Sequence, residues 1–265
     1  MNRKNYKFGE KLPISATIIC YNEESNIEET LKSLDFIDEI IVIDSYSTDK
    51  TIEIVSRYTD KIYYNKFKDF SDQRNIALSK VSNNWVMRID SDEIITPSLK
   101  QKIYDILNQD DCSRQIVYKT ALKNMFMGRL IKHSNWGGKP VHFLYNFNHF
   151  KYKNAVHELP DITETQEIVL KNVYLIHNTY KGVTVMFRKT DQYSTIKAKQ
   201  LFDKQVKITP FHLAIKPTYR FIFHYLLNLG FLDGRQGFII AKMKALEVYW
   251  RYLKCWRLQK GETID

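Results

Sequence analysis

Glycine, proline and cysteine are scarce: 9, 6 and 3 residues in a chain of 265. So little glycine and proline excludes a collagen-like or linker-dominated chain. Cys20, Cys112 and Cys255 are odd in number and far apart, and no pair has zinc-ligand spacing. They read as free thiols in a reducing compartment. Neither a GxGxxG turn nor a GxxxxGK[ST] loop occurs, which removes two common cradles for phosphate. Zinc-finger, basic-zipper and RRM signatures are missing as well. Long apolar runs are also lacking. The first 15 residues are basic with no apolar stretch behind them, so a signal peptide is not expected. Phe221 to Leu232 is uncharged but short, and it contains His224, Asn228 and Gly230, whereas a span needs ~20 apolar residues. A soluble or membrane-surface protein on the cytoplasmic side is the expectation.

What is present is a globular composition, 44% hydrophobic and 26% charged, with enough apolar material for a packed core. Basic residues outnumber acidic ones by 40 to 30, a net charge of +10. Such a chain is drawn to polyanions: nucleic acid, anionic lipid or phosphorylated small molecules. There are 17 Tyr and 15 Phe, material for flat ligand-binding faces as well as for the interior.

Strand and helix signals alternate over the first hundred residues. Residues 14–20, 39–44, 61–64 and 85–89 are short apolar, β-branched runs. Between them lie helical patterns. Ser25 and Glu28 form a capping-box pattern, Ser47 or Asp49 can cap the second helix, and Ser71 the third. Thr96-Pro97 gives an N-cap with proline at the first helical position, leading into Leu99, Ile103 and Leu107. This order predicts an α/β fold with a parallel sheet and right-handed crossovers. Residues 115–122, 141–150 and 167–177 read as further strands, and from Gly182 onward the pattern is helical. The expected division is 1–108, 109–207 and 208–265.

In an open parallel sheet ligands bind beyond the carboxyl ends of the strands. Three strands end there in polar or acidic residues: Tyr21-Asn22-Glu23-Glu24, Asp44-Ser45 and Asp90-Ser91-Asp92-Glu93. This predicts an acidic crevice on a basic protein. With no phosphate loop, a bound nucleotide would need a divalent cation, and carboxylates suit Mg²⁺ or Mn²⁺. If the chain stays extended, Asp90 and Asp92 point to one face, so one can hold metal while the other meets a sugar hydroxyl. The alternative is a strand-to-turn cap, where Asp and Ser are common.

Four ordered segments, IICYNEESNIEETLKSL, IIVIDSYSTDKT, FSDQRNIAL and WVMRIDSDE, carry a resemblance over residues 13–108. They resemble the nucleotide-sugar half of the inverting family 2 glycosyltransferases, which have the GT-A fold: a Rossmann-like, mostly parallel sheet with flanking helices. NAVHELP, LIHNTYKGVTVMFRKTDQYSTIKAKQL and GFLDGRQGFIIA are similar to the bacterial lipopolysaccharide core β-1,4-glucosyltransferases of that family. The resemblance implies transfer of a single hexose, glucose, from a UDP-sugar to an inner-core heptose of lipopolysaccharide or lipooligosaccharide. It implies that Tyr21, Asn22 and Glu23 line the nucleoside pocket, that Asp44 accepts from uracil, and that Arg74 contacts base or phosphate. Asp90, with Ser91, would approach ribose or metal, and Asp92 would ligate Mn²⁺ or Mg²⁺. Many members read Asp-Asp-Gly-Ser where this chain has Asp44-Ser45-Tyr46-Ser47, so base contact rests on Asp44 alone. The Gln-x-x-Arg-Trp signature of processive members is absent, consistent with one transfer per acceptor.

An inverting displacement needs one general base opposite the diphosphate. By its position in the resemblance Glu158 is the candidate, with Asp161 behind it; otherwise Glu158 is a loop carboxylate paired with a lysine. His177, at the end of a strand, completes the metal shell or is a hydrogen-bonded structural residue. His157 can orient acceptor or diphosphate. Trp136 stacks on a sugar or packs a loop onto the sheet. Lys181 and Arg188 meet phosphate oxygens or simply lie on a solvated helix face. The segment 210–260 interleaves nine Lys/Arg with large aromatics, against Asp233 and Glu247 alone. This favours a C-terminal helical segment on an anionic membrane surface at the inner membrane, near a lipid-linked glycan acceptor. Competing readings are a transferase of the same fold acting on another glycan or protein, or a noncatalytic membrane-surface or nucleic-acid-binding protein. The acidic crevice speaks against nucleic acid as a partner.

Overall fold

The computed structural model describes residues 5–109, 115–136, 140–147, 150–153, 159–161, 165–180 and 183–264. By its internal contacts the chain forms two units: residues 1–122 with 138–178, and residues 123–137 with 179–265.

The first unit is built on a mixed sheet. Strands β1 (Leu12–Cys20), β2 (Ile37–Asp44), β3 (Ile62–Tyr64) and β4 (Trp85–Arg88) are parallel, in the order β3-β2-β1-β4. Helices α1 (Ile27–Ser33), α2 (Thr51–Val55) and α3 (Phe70–Leu78) connect them. Both faces of the sheet are covered, so side chains divide between two cores with period two. Ile40 and Val42 of β2, with Trp85 and Met87 of β4, join Ile27, Leu31, Leu99 and Ile103 on one face. On the other face Ile41 and Ile43 pack with Ala77, and Val86 packs with Leu78 and Tyr145.

After β4 come β5 (Glu93–Ile95), α4 (Pro97–Gln109), β6 (Ile116–Phe126), β7 (Arg129–Leu130) and β8 (Val141–Tyr145). β8 lies antiparallel between β4 and β6, and β7 closes a hairpin on β6. β9 (Tyr152–Lys153) and β10 (Leu159–Pro160) form a separate two-stranded pair. β11 (Gln166–Tyr180) runs antiparallel to β5, with His177 opposite Glu93.

The Thr96-Pro97 start of α4 is as expected, with the Thr96 hydroxyl accepting from the Leu99 N–H. The other three caps differ from expectation. α1 starts after Asn26, and the Ser25–Glu28 box does not form. The Glu23 carbonyl accepts from both Asn26 and Ile27, which sets the first turn one residue later. The N-cap of α3 is Asp69, not Ser71; it is extended and accepts from the Asp72 N–H at 2.8 Å. α2 begins after Lys50 with no side-chain cap. Asp49 accepts from the Thr51 N–H just inside it, while the Ser47 hydroxyl turns back to Asp44.

The second unit is largely helical: α5 (Val183–Asp203), α6 (Pro210–Ile222) and α7 (Gly234–Gln259). A π turn, Phe223–Leu227, and a 3₁₀ turn, Gly230–Asp233, join the last two. Ala198, Ile208, Val248, Tyr252 and Cys255 form one of its cores. Phe126, Ile131, Met186, Ile240 and Met243 form the other. The carbonyl of Gly230 approaches Gly237 so closely that a Cβ there would sit 1.9 Å from it, so this crossing requires glycine. Buried Asp233 accepts from the N–H groups of Lys132 and His133 and from the Ser134 hydroxyl, tying residues 132–134 to the start of α7. Cys20 and Cys255 are free and buried; Cys112 lies outside the described residues.

Candidate active site

The carboxyl ends of β1, β2 and β4 come together in the first unit. The loops after β1 and β2 are laced to each other. Asn22 donates its N–H to the Ser47 hydroxyl at 2.9 Å and accepts from the Thr48 N–H at 2.8 Å. Glu23 donates its N–H to the Thr51 hydroxyl at 2.7 Å. Asn22 reaches this position with φ of +54°, in the left-handed region that asparagine tolerates. Tyr21 stays exposed beside it.

Asp44 is completely buried. Its carboxylate accepts from the Ser47 N–H at 2.7 Å and from the Ser47 hydroxyl, closing the turn over residues 44–47. The Cys20 thiol also points at it, 3.5 Å away, and burial plus the Asp44 charge raise the thiol pKa, keeping it protonated. At the crest of the turn Tyr46 has φ of +64° and an exposed ring 5.8 Å from that of Tyr64.

At the tip of β4 the chain is not extended. Residues 91 and 92 form a turn, closed by the Glu93 N–H donating to the Asp90 carbonyl at 3.0 Å. Asp90 and Asp92 therefore look to different partners, and the same-face argument for the Asp-x-Asp pair does not apply. The Asp90 carboxylate is held by Arg74 at 2.8 Å and by Arg88. Burial opposes its ionisation, but the two guanidinium groups outweigh burial and hold its pKa well below the usual carboxylate range. Glu93, buried 3.5 Å from Arg88, is pushed the other way, because burial and the Asp90 charge outweigh that arginine. The crevice is thus not simply acidic: two nearly buried arginines are built into it. Asp92 instead meets His177, its Oδ2 lying 3.2 Å from Nε2. The pairing of β11 with β5 brings them together, and the Asn178 N–H donates to the Asp92 carbonyl at 2.8 Å. Burial lowers the His177 pKa, but the hydrogen bond and charge of Asp92 prevail and raise it. Ser91 is buried, and its carbonyl accepts from the Thr30 hydroxyl, anchoring the turn to α1.

β9 is joined to α3 next to Arg74. Asn75 donates to the Tyr152 carbonyl at 3.0 Å and accepts from the Tyr152 N–H at 2.8 Å. This sets the Tyr152 ring 5.8 Å from the Arg74 guanidinium carbon. The Tyr145 and Tyr152 hydroxyls are 3.4 Å apart, and burial keeps both phenols protonated. Glu158, His157 and Lys181 lie outside the described residues. Asp161 pairs with Lys153 at 2.6 Å on the small hairpin. Trp136 and Arg188 belong to the second unit. There the Trp136 ring packs edge-on to Phe126 at 5.7 Å, and Arg188 is exposed on α5.

The family model for glycosyl transferase family 2 matches residues 15–174. The chain belongs to that family. This glycosyltransferase is 27% identical to an uncharacterized glycosyltransferase of Rickettsia felis, over 91% of this chain and 88% of that protein. It is also 27% identical to the lipopolysaccharide core biosynthesis glycosyltransferase LpsC of Rhizobium meliloti, over 91% of this chain and 94% of that one. Among solved structures, S. aureus TarS 1–349 in complex with UDP-GlcNAc aligns over 95% of this chain and 93% of its own, with 16% identity and a TM-score of 0.46. With the family shown, the mixed α/β sheet with flanking helices and a helical C-terminal segment is the GT-A fold expected from the motifs.

Sequence reasoning misses Arg88, Tyr145 and Tyr152, and gives Glu93 no role beyond its place in the acidic strand end. For Arg88 the signal is available: an arginine in the otherwise apolar run WVMRI. The two tyrosines carry no local mark: Tyr145 lies on β8 of the main sheet and Tyr152 on the separate β9–β10 pair, and their hydroxyls meet only in the fold.

Proposed function

We propose that this glycosyltransferase moves a single glucose from UDP-glucose to an inner-core heptose of lipopolysaccharide or lipooligosaccharide, inverting the anomeric carbon. The observation that carries the reading is the pairing of Asp92 with His177 beside an Asp90 held between two arginines. The lipopolysaccharide-core name of the LpsC relative supports the acceptor class. Because such an acceptor is lipid-linked, transfer takes place at the cytoplasmic face of the inner membrane.

Asp92 and His177 are the residues that would hold Mn²⁺ or Mg²⁺. One carboxylate and one imidazole suit a hard or borderline cation, and so few protein ligands leave places for phosphate oxygens and water. Among the described residues there is no group of three such ligands. When bound, the cation would neutralise charge on the departing diphosphate.

The rest falls to the chain. Tyr21, Asn22 and Glu23 line the nucleoside pocket, and the hydrogen bonds from the β1 loop to Ser47, Thr48 and Thr51 fix its wall. Arg74 and Arg88 keep Asp90 ionised, so that it accepts from a ribose hydroxyl rather than donating. Asp44 is closed off by Ser47, and reading a uracil requires that turn to open. Glu158 takes the proton of the acceptor hydroxyl as its oxygen attacks the anomeric carbon and the bond to UDP breaks. Of the strands flanking Glu158 in sequence, β9 is joined to α3 next to Arg74 and β10 pairs with β9.

Calorimetry with UDP, with and without Mn²⁺, tests the site: binding should strengthen markedly with the metal. A screen of UDP-sugars for metal-dependent hydrolysis, followed by the active donor on truncated lipopolysaccharide cores, tests the substrates. UDP binding indifferent to metal, or salt-sensitive DNA binding in its place, overturns the reading.

A further inference from the structure

Within the C-terminal segment the basic aromatic sequence does two different jobs. α7 is packed: Ile240, Ala241, Met243, Val248 and Cys255 are buried along it. α6 has no buried residue at all. Phe211, Ile215, Tyr219 and Ile222 follow one another at helical spacing, so they share a face, and the first three are each more than half exposed. The apolar surface does not stop where α6 ends. Leu226 and Leu227 on the π turn, and Leu229 and Leu232 just beyond it, are 50%, 64%, 45% and 51% exposed. Leu229 also adopts φ of +54°, a strained choice for leucine. A soluble surface rarely carries so continuous an apolar strip without a use.

The charges beside the strip say what covers it. No acidic residue occurs between Asp203 and Asp233, while Lys204, Lys207, Lys216 and Arg220 lie in that interval. Lys216 and Arg220 are exposed on α6 itself, flanking the apolar face. In a two-fold contact between copies of this chain the same patch faces itself, so these cations would confront their own equivalents. An anionic lipid surface accepts both the apolar face and the cationic flank. No helix among the described residues is long and apolar enough to cross a membrane, so α6 lies along the surface rather than through it.

We infer that α6 with the leucine-rich turn after it is a membrane-docking element, seated in the interface of a bilayer containing anionic phospholipid. The sequence expectation assigned this task to the whole of 208–265; the structure narrows it to residues 210–232 and leaves α7 as the support. The inference rests on the proposed action at a membrane but not on the catalytic residues.

The test is co-sedimentation of the full chain with vesicles of phosphatidylcholine alone and of phosphatidylcholine with phosphatidylglycerol, at low and high salt. The wild type should bind the anionic vesicles and release in high salt. Ile215→Asp combined with Leu227→Asp should weaken that binding about tenfold or more, since each places a carboxylate where apolar surface enters the lipid. Lys216→Gln with Arg220→Gln should weaken it and reduce its salt dependence. These positions are exposed, so melting temperature and Mn²⁺-dependent UDP binding should be unchanged, which separates lost docking from lost folding. Equal binding to neutral vesicles, undiminished binding by the variants, or a wild-type dimer in solution that Ile215→Asp splits overturns the inference. Failure to bind vesicles with UDP binding intact refutes docking alone; vesicle binding without metal-dependent UDP binding refutes the transferase mechanism alone.

Discussion

Glu39 offers a measurement of what holds the sheet together, away from the chemistry. It sits near the start of β2, opposite Ser15 of β1, at the other end of the strands from the candidate site. The side chain is buried and accepts from Lys61, from the Ser15 hydroxyl, and from the Ser82 N–H and hydroxyl. Burial alone would raise its pKa, but these hydrogen bonds prevail and lower it from 4.5 to about 2. Because the folded-state pKa lies below the unfolded one, the unfolded chain binds the proton more readily. The stabilisation is therefore complete above the unfolded value and drains away as pH falls toward about 2. A shift of this size corresponds to about 3 kcal/mol at neutral pH, of which about 2 kcal/mol is lost by about pH 3. Lys61 is partly exposed, so solvent screening reduces the loss to about 1–2 kcal/mol. Urea denaturation of wild type and Glu39→Gln at neutral pH and at about pH 3 isolates this group, since the other carboxylates cancel in the difference. Glu39→Gln should be less stable at neutral pH, and the gap should shrink by that amount in acid. A gap that does not change with pH would refute the assignment of the low pKa to the Lys61, Ser15 and Ser82 contacts.

Asp92→Ala should abolish transfer and the metal-enhanced part of UDP binding in calorimetry, with little change in melting temperature. Glu158→Gln should keep UDP affinity and stop transfer, as read by single-turnover assay with UDP-glucose. Arg74→Met removes one of the two arginines on Asp90 and leaves Arg88, so it should cost about 1–2 kcal/mol in urea denaturation, as well as nucleotide affinity. Tyr46→Gly relieves a left-handed tyrosine and should stabilise the fold by about 0.5 kcal/mol, because the relief of strain exceeds the added flexibility of glycine. A loss of stability in that variant would mean that the ring contact with Tyr64 outweighs the strain.

The parallel half of the sheet was legible because strands buried on both faces must be written as apolar, β-branched runs, as in ISATIIC and IIVID. Thr96-Pro97 marked α4 for an equally local reason. Caps were misplaced where several polar residues stood in a row and local hydrogen bonding decided among them, as with Asp69 over Ser71 and with the Glu23 carbonyl ahead of Asn26. Asp92 was visible as a carboxylate at a strand end. What no local pattern encodes is that its neighbour is His177, a pairing set by the register of β11 on β5. Nor does the sequence say that Asp90 is spoken for by two arginines, one from α3 and one from β4.

The position of β8 constrains how this protein can be made. β4 finds its second neighbour only in residues 141–145, which follow an excursion through residues 123–137 into the other unit. A nascent chain that has emerged only as far as α4 therefore shows an unsatisfied strand edge, open to pairing with another copy. The same threading means that neither unit can be cut out as one uninterrupted stretch of polypeptide. Expression fragments ending near residue 108 should aggregate, whereas chains extending beyond β11 carry every strand the sheet needs.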